Sequence, residues 1–300
     1  YTDYLIESDG HLQINNQNGL DVSAGYSRGH EDRGSGATRF LNFIPGPTKF
    51  NDTKIGLGYQ LGQQSATIRT EFTVDYLNRE YKLNAIEIGN RDREENSLSG
   101  KIFYALSAKT DFVAEVRHTD IEYTNETIAR SANTLDNTEM EYFIGAEWQG
   151  TAKTSGFAKF GVGDKDFDSN ARTDENGNFF WSIGVSWEAK EHSLISFVSS
   201  AEEEETTGVG NFIDTKSHQV SWEYKLKNGI TALSSYTYRD EEYSGSRQND
   251  ELNQFSLKAT YPYKRWMDIV VNYETTDKTT SVTNFDYDRN KFMIGVEMSL

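Results

Sequence analysis

The chain has 300 residues, a formal net charge of −17 and no cysteine, and its mean hydropathy is −0.71. Its acidic surplus disfavours nucleic acid as a partner, since phosphates attract Lys and Arg, and disulfides and thiolate metal sites are excluded. The sequence also lacks a long apolar run and thus excludes a transmembrane helix, but a membrane barrel needs apolar residues only at alternate strand positions.

Alternation of apolar and polar residues is the dominant pattern along the chain. In the first clear example, Ile55, Leu57 and Tyr59 are separated by Gly56 and Gly58. Such a period of two places successive side chains on opposite faces of a strand. The pattern recurs at residues 140–148, 179–187, 220–226 and 292–300.

Short and long connections separate these segments in strict turn. Asn18-Gly19 and Asn228-Gly229 are hairpin-turn signals, because a type I′ turn requires positive φ at both central residues. Short connections are expected near 17–19, 62–64, 108–110, 150–154, 189–192, 227–229 and 263–265. Long polar connections are expected near 34–50, 85–92, 125–134, 168–177, 203–213, 244–249 and 280–286. This layout predicts short periplasmic turns and long extracellular loops.

Fourteen connections predict fifteen strands in one all-β domain over residues 1–300, a transmembrane antiparallel up-and-down barrel. Bacterial single-chain barrels usually have an even number of strands. We therefore expect about sixteen strands, with the first one missing before Tyr1. The alternative is that residues 1–8 fold back as a short strand with a turn at Asp9-Gly10.

Aromatic residues cluster near the expected strand ends, where amphipathic rings favour the interface between lipid headgroups and water. Ordinary enrichment of aromatics in strands is the alternative explanation. The members near short turns are Tyr104, Trp148, Trp187, Tyr224, Tyr261 and Trp266. Those near long loops are Tyr76, Tyr123, Phe179 and Tyr287.

Charged residues occupy the register opposite to the apolar set. Facing lipid, an Arg or Lys near the midplane costs about 2–4 kcal/mol, so these residues are expected to line a lumen. They either form a polar path for a hydrated polymer or a salt-bridged wall that holds the barrel in shape. The candidates are Arg69, Glu71, Lys101, Glu115, Arg117, Glu141, Glu147, Lys159, Glu223, Lys225, Lys258, Asp268, Glu274 and Glu297.

The same inward register carries aromatic residues, which could stack on sugar rings but more readily pack against an inward-folded loop. They are Phe103, Tyr123, Phe143, Phe157 and Phe180. The long loop 34–50, with Phe40, Phe43 and Phe50, is the sequence's best candidate for a constriction.

Motifs for metals and catalysis are weak. Asp164, Asp166, Asp168 and Glu175 match calcium-loop spacing, but Ser169 stands where Gly is needed and the flanking helices are absent. The acidic run 202–205 is interpreted as a solvated rim, with divalent-cation binding as the alternative. The five histidines form no HExxH motif, and no catalytic triad can be nominated. No catalytic residue, metal or cofactor is therefore expected.

Several motifs resemble the β-barrel porin 2 family over nearly the whole chain. They include Arg265-Trp266, 284–293, Asp136–Glu139, Glu147-Trp148 and the segment 155–161. The resemblance implies an outer-membrane channel that exports exopolysaccharide or capsular polysaccharide. It also implies contact with outer-membrane lipid and lipopolysaccharide, and a periplasmic polysaccharide-export protein as partner.

Three other functions remain open at this stage. A general or solute-specific diffusion porin shares the same barrel. A barrel enzyme or a purely structural barrel is the next alternative, and a soluble β-protein is the last. The membrane interpretation depends on apolar side chains forming an outer belt while the intervening charges face water.

Overall fold

A computed structural model describes residues 2–31, 47–63, 65–82, 91–124, 134–151, 153–206, 209–283 and 285–298. Within these ranges the secondary structure is β-strand and turn. The described residues include no helix long and apolar enough to cross a membrane.

The described residues form fifteen strands of 12–16 residues each, as the alternation predicts. At about 3.3 Å per residue, a tilted strand of this length spans the hydrocarbon layer of a membrane with residues to spare. The strands are β1 (Tyr4–Asn15), β2 (Asn18–Glu31), β3 (Thr48–Leu61), β4 (Ile68–Tyr81), β5 (Arg93–Ser107), β6 (Thr110–Tyr123), β7 (Asn137–Thr151), β8 (Thr154–Phe167), β9 (Glu175–Lys190), β10 (Ser193–Glu205), β11 (Phe212–Lys225), β12 (Thr231–Tyr243), β13 (Asn249–Lys264), β14 (Met267–Thr280) and β15 (Tyr287–Met298).

Each strand pairs with its neighbours in chain order, in one sheet of order β1 to β15. All the described registers are antiparallel, which gives an up-and-down topology. Among the described residues, β1 pairs with β2 alone and β15 with β14 alone, so the sheet is not closed. A further strand before Tyr1 stays a prediction.

The alternative in which residues 1–8 fold back is wrong. Strand β1 runs unbroken through Asp9 and Gly10, which pair with Ser23 and Val22 of β2. No turn therefore occurs at that dipeptide, in spite of its turn-forming composition.

The hairpin signal at Asn18-Gly19 is displaced by two residues. The turn lies at residues 16–17, while Asn18 and Gly19 are already in β2 and pair with β1 and β3. The Asn15 side chain explains the shift, because its Oδ1 accepts hydrogen bonds from Gln17 N (2.8 Å) and Asn18 Nδ2 (2.9 Å). In contrast, Gly229 in the β11–β12 turn has φ of +86°, as the Asn-Gly signal predicts.

Two faces of the sheet follow from the alternation. The outer face, as we define it, carries the exposed apolar residues, for example Ile55 and Leu57 on β3 and Ile144 on β7. The inner face carries the residues of opposite register, many of them charged and buried, such as Glu115 and Lys165. An apolar exposed face beside a polar buried face reverses the order of a water-soluble sheet.

Most of the predicted aromatic belt lies on the outer face, but two members do not. Near the short turns, Tyr104, Trp187, Tyr261 and Trp266 are all exposed. Tyr123, by contrast, is 1% exposed and lies on the inner face. Tyr287 pairs with the inner residue Lys278 and lies under the Arg289 guanidinium. Assigning both to the belt was wrong, because nearness to a loop does not determine which face a residue occupies.

By its internal contacts the chain divides into two compact units. The first comprises Tyr1–Ala146, Lys159–Phe180 and Glu205–Phe212. The second comprises Glu147–Ala158, Trp181–Glu204 and Ile213–Leu300.

Candidate channel wall

The fourteen charged residues predicted to line a lumen lie on β4–β8, β11 and β13–β15, in the inner register. Twelve of them make ion pairs with one another or with nearby charges, for example Lys101 with Glu71 at 3.2 Å. Two have no ion pair among the described residues, namely Glu147 and Asp268. The other pairs of the set are Arg69–Asp111, Arg117–Glu115, Arg117–Glu141, Lys159–Glu115, Lys225–Glu223, Lys258–Glu297, Arg289–Glu274 and Lys291–Glu274.

Glu115 is the centre of the most buried of these networks. Its side chain is fully buried and receives Lys159 Nζ at 3.0 Å and Arg117 Nη2 at 2.8 Å. Arg117 also donates to Glu141 at 3.1 Å. The network ties β6, β7 and β8 together and leaves no carboxylate at its centre to face water. Part of the predicted lining is therefore structural.

Two of the inner aromatic residues, Phe143 and Phe180, are buried beside this network and do not form an open stacking surface. The rings of Phe143 and Phe180 lie 6.4 Å apart, and both are buried. Arg117 and Lys159 approach the Phe143 ring at 5.8 and 6.0 Å. Similarly, Arg69 lies 5.2 Å from the Phe103 ring. A stacking track for sugar rings does not follow from this packing.

A second cluster lies at the loop ends of β2–β5 and was missed in the sequence. Arg91 is 1% exposed and forms a two-pronged pair with Glu31, at 2.7 and 3.0 Å. It stacks on Tyr81 at 4.0 Å, while Arg79 pairs twice with Asp52 at 2.7 Å. Nearby, Tyr81 N donates a hydrogen bond to the Asp92 carboxylate. Burial raises the pKa of Asp92 above its ordinary value.

The second unit has an equivalent cluster at the loop ends of β12–β14. Asp250 is 1% exposed, pairs with Lys278 Nζ at 2.7 Å and accepts from Tyr243 Oη and Gln248 Nε2. Arg239 lies between Glu204 and Glu241 at 2.6 Å from each. These residues share the inner register of the predicted set, so extending the alternation to the loop ends would have found them.

The acidic run 202–205 is not a uniform solvated rim. Glu202 is exposed, but the Glu205 side chain is buried and accepts from Lys165 Nζ at 2.7 Å and from Tyr123 Oη. Lys165 also binds Glu139. The prediction of a solvated rim was wrong for Glu205, because its carboxylate pairs with the buried ammonium group of Lys165 on the inner face.

The constriction expected at 34–50 lies largely outside the described residues, which begin again at residue 47. Phe50, at its edge, is in β3 and packs on Tyr81 with ring centroids 5.8 Å apart.

An open polar groove runs along the inner face of β1–β4. A first cavity of about 440 Å³ is lined by Gly56, Gly58 and polar residues that include Asp9, Asp21 and Asp75. A second, of about 530 Å³, shares Gln60 and continues to Gln63 at the β3–β4 turn. Together the two cavities extend from mid-strand to the short-turn end. We call these two cavities the polar groove.

Serine and histidine do meet on the outer face of the second unit. Ser199 Oγ lies 2.9 Å from His218 Nδ1 and accepts from Trp181 Nε1 at 2.8 Å. Ser199 is 5% exposed, which leaves little access for a substrate. This arrangement satisfies polar groups on a face that contacts hydrocarbon.

The calcium-spaced acids are held apart by their strands. Asp164 and Asp166 lie within β8, and Asp164 accepts from Gly177 N at 2.8 Å. Across the part of the chain that the structure describes, no group of three His, Cys, Asp or Glu side chains is arranged to hold a metal ion.

A family model described as "Putative beta-barrel porin 2" matches residues 1–300. The chain belongs to this family. The resemblance of the motifs is thereby confirmed, and with it a location in the bacterial outer membrane. Membership indicates an outer-membrane channel. Among curated proteins, none matches this chain.

Solved structures with the same fold are outer-membrane proteins of low sequence identity. FpvA of P. aeruginosa, bound to pyoverdines, matches with a TM-score of 0.55 at 9% identity, over 93% of this chain and 49% of that one. The FrpB iron transporter from Neisseria meningitidis gives 0.55 at 11%, over 95% and 54%. The ferric-catecholate import receptor Fiu from E. coli K12 gives 0.51 at 7%, over 98% and 60%.

The chain thus spans about half the length of these solved structures. The likeness supports the outer-membrane β-barrel fold, and the iron compounds in their titles belong to those proteins. The inner polar face and outer apolar face agree with the same fold.

Proposed function

We propose that this outer-membrane channel exports an exopolysaccharide or capsular polysaccharide. The family membership supports the channel, and the polar groove of β1–β4 supports the cargo. Its carboxylates, amides and hydroxyls, among them Asp21, Gln60 and Thr73, offer hydrogen bonds to a hydroxyl-rich chain.

The groove opens where a periplasmic partner would deliver the polymer. Its second cavity is lined by Asn16 and Gln63, which lie in the short connections β1–β2 and β3–β4. Short connections face the periplasm in barrels of this kind. A periplasmic polysaccharide-export protein docked at that end would pass polymer directly into the groove.

Filling the groove tests the proposal. Gly58→Trp places an indole on the inner face of β3, while Leu57→Trp places the same ring on the outer face and serves as the matched control. In a strain lacking the gene, the wild-type protein and Leu57→Trp should restore polysaccharide secretion, and Gly58→Trp should restore at most roughly one tenth of it. Secretion that persists in the deletion strain would contradict the proposal.

A diffusion porin is the second candidate. The paired charges of both signs on the inner face favour it, because such a wall suits small hydrated solutes. Uptake of small solutes by the same strains separates the two functions. If Gly58→Trp lowers uptake but leaves secretion intact, the porin is the better assignment.

A further inference from the structure

Strand β10 has an irregular end at Glu205. The pairing of β10 with β9 ends at Ala201, and the adjacent Glu204 and Glu205 both contact inner groups, which a regular strand does not allow. Residues Glu205–Phe212 belong with the first unit by their contacts. We call the described part of this stretch, 205–206 and 209–212, the inner segment.

The inner segment is buried against the inner face of β6 and β8, at their long-loop ends. Thr206 and Phe212 are almost completely buried. Phe212 stacks on Phe167 with ring centroids 6.4 Å apart, and both belong to an apolar cluster with Ile121 and Leu135. Tyr123, which the alternation along β6 places on the inner face, belongs to the same cluster.

Lys165 connects the inner segment to β7 and β8 through its ion pairs. Its ammonium group is buried, lies 5.4 Å from the Phe212 ring and binds both Glu205 and Glu139. A buried charge is costly unless it is well paired, so either carboxylate without the lysine would be strongly disfavoured. At the other end of the segment, Asn211 accepts from Arg172, whose Nε donates to Thr134 O at 2.6 Å.

We propose that the inner segment is the constriction of the channel and that Lys165 holds it in place. The location follows from the register, because the segment lies on the inner face at the long-loop end, above the Glu115 network. This inference rests on the proposed function only in that it requires an aqueous pore. The cargo does not enter its test.

The test measures ion conductance of the full-length protein in planar lipid bilayers. Lys165→Met leaves Glu139 and Glu205 without their cation and should raise single-channel conductance at least about threefold. Lys216→Met is the control, since it removes an exposed, paired lysine in the outer register of β11, and should change conductance less than roughly twofold. Adding Glu139→Gln and Glu205→Gln to Lys165→Met should bring the conductance back toward the wild-type value.

A labelling experiment checks movement of the segment independently of current. The chain has no native cysteine, so Thr206→Cys provides a single thiol that should react slowly with a maleimide. In the Lys165→Met background it should react quickly, whereas Ser246→Cys in an exposed turn should react quickly in both.

Folding of each variant is verified by the change in gel mobility on heating. If folded Lys165→Met keeps both the wild-type conductance and slow labelling, the proposal is overturned. Absence of current from every variant would overturn it as well. If secretion persists in the deletion strain while the conductance results hold, the proposed cargo is contradicted and the constriction is not.

Discussion

Removing the charge of Glu115 should destabilise the barrel markedly. The Glu115 carboxylate is fully buried between Lys159 and Arg117, so Glu115→Gln leaves two cations facing each other. Breaking a buried pair costs roughly 3–5 kcal/mol. Here the partners are partly exposed, 20% for Lys159 and 39% for Arg117, and Arg117 keeps Glu141. We therefore expect a loss of about 2 kcal/mol in the free energy of unfolding.

The assay is urea unfolding of the protein in lipid vesicles, followed by tryptophan fluorescence. Glu223→Gln is the control, because its partner Lys225 is 63% exposed at 3.4 Å, and such pairs contribute about 1 kcal/mol or less. The double variant Glu115→Gln with Lys159→Met should recover part of the loss. Equal stability of Glu115→Gln and Glu223→Gln would refute the reasoning.

Two further predictions use the same unfolding assay. A methyl group at Gly161 would overlap the Phe143 ring and the Tyr142 carbonyl oxygen, so Gly161→Ala should cost about 1–3 kcal/mol, while Gly295→Ala, with open space around it, should be neutral; a neutral Gly161→Ala would disprove the tight packing. Ile144→Lys on the outer face should cost about 2–4 kcal/mol, whereas Gln219→Lys on the inner face should cost less than roughly 0.5 kcal/mol; equal costs would contradict the lipid-facing assignment.

The strands could be predicted from alternation because each face meets a different solvent. Lipid on one side and polar groups on the other impose a period of two along the whole length of a strand, as at Ile55, Leu57 and Tyr59. The positions of the turns could be predicted less accurately than the strands. At Asn15 a side chain satisfies the turn's backbone N–H, so the turn forms before the Asn18-Gly19 dipeptide.

The loop-end clusters could be predicted only in part. Arg79, Arg93 and Lys278 continue the inner register, so alternation identifies their face. The pairing of Arg91 with Glu31 could not be predicted in this way. Arg91 precedes β5 and reaches Glu31 at the end of β2, and nothing in the local pattern links two residues 60 positions apart.

Glu205 marks the limit of what periodicity can predict. Along β10 its parity points outward, and the acidic run around it looks like a solvated rim. β10 ends at this residue, and its carboxylate lies beside Lys165 on the inner face. A buried cation on a distant strand determines that position, so the sequence around Glu205 contains no signal for it.

The ion pairs within the sheet join strands that are also joined by backbone hydrogen bonds, whereas the inner segment is held against β6 by side-chain contacts. Lys101 and Glu71 are direct partners in the β4–β5 ladder, so their ion pair adds to strands that backbone hydrogen bonds already join. Tyr123 of β6 contacts Glu205, the last residue of β10, and these two strands are not neighbours in the sheet order. No ladder links those strands directly. Side-chain contacts must therefore hold the inner segment against β6, and a single substitution such as Lys165→Met should free it while the ladder stays intact.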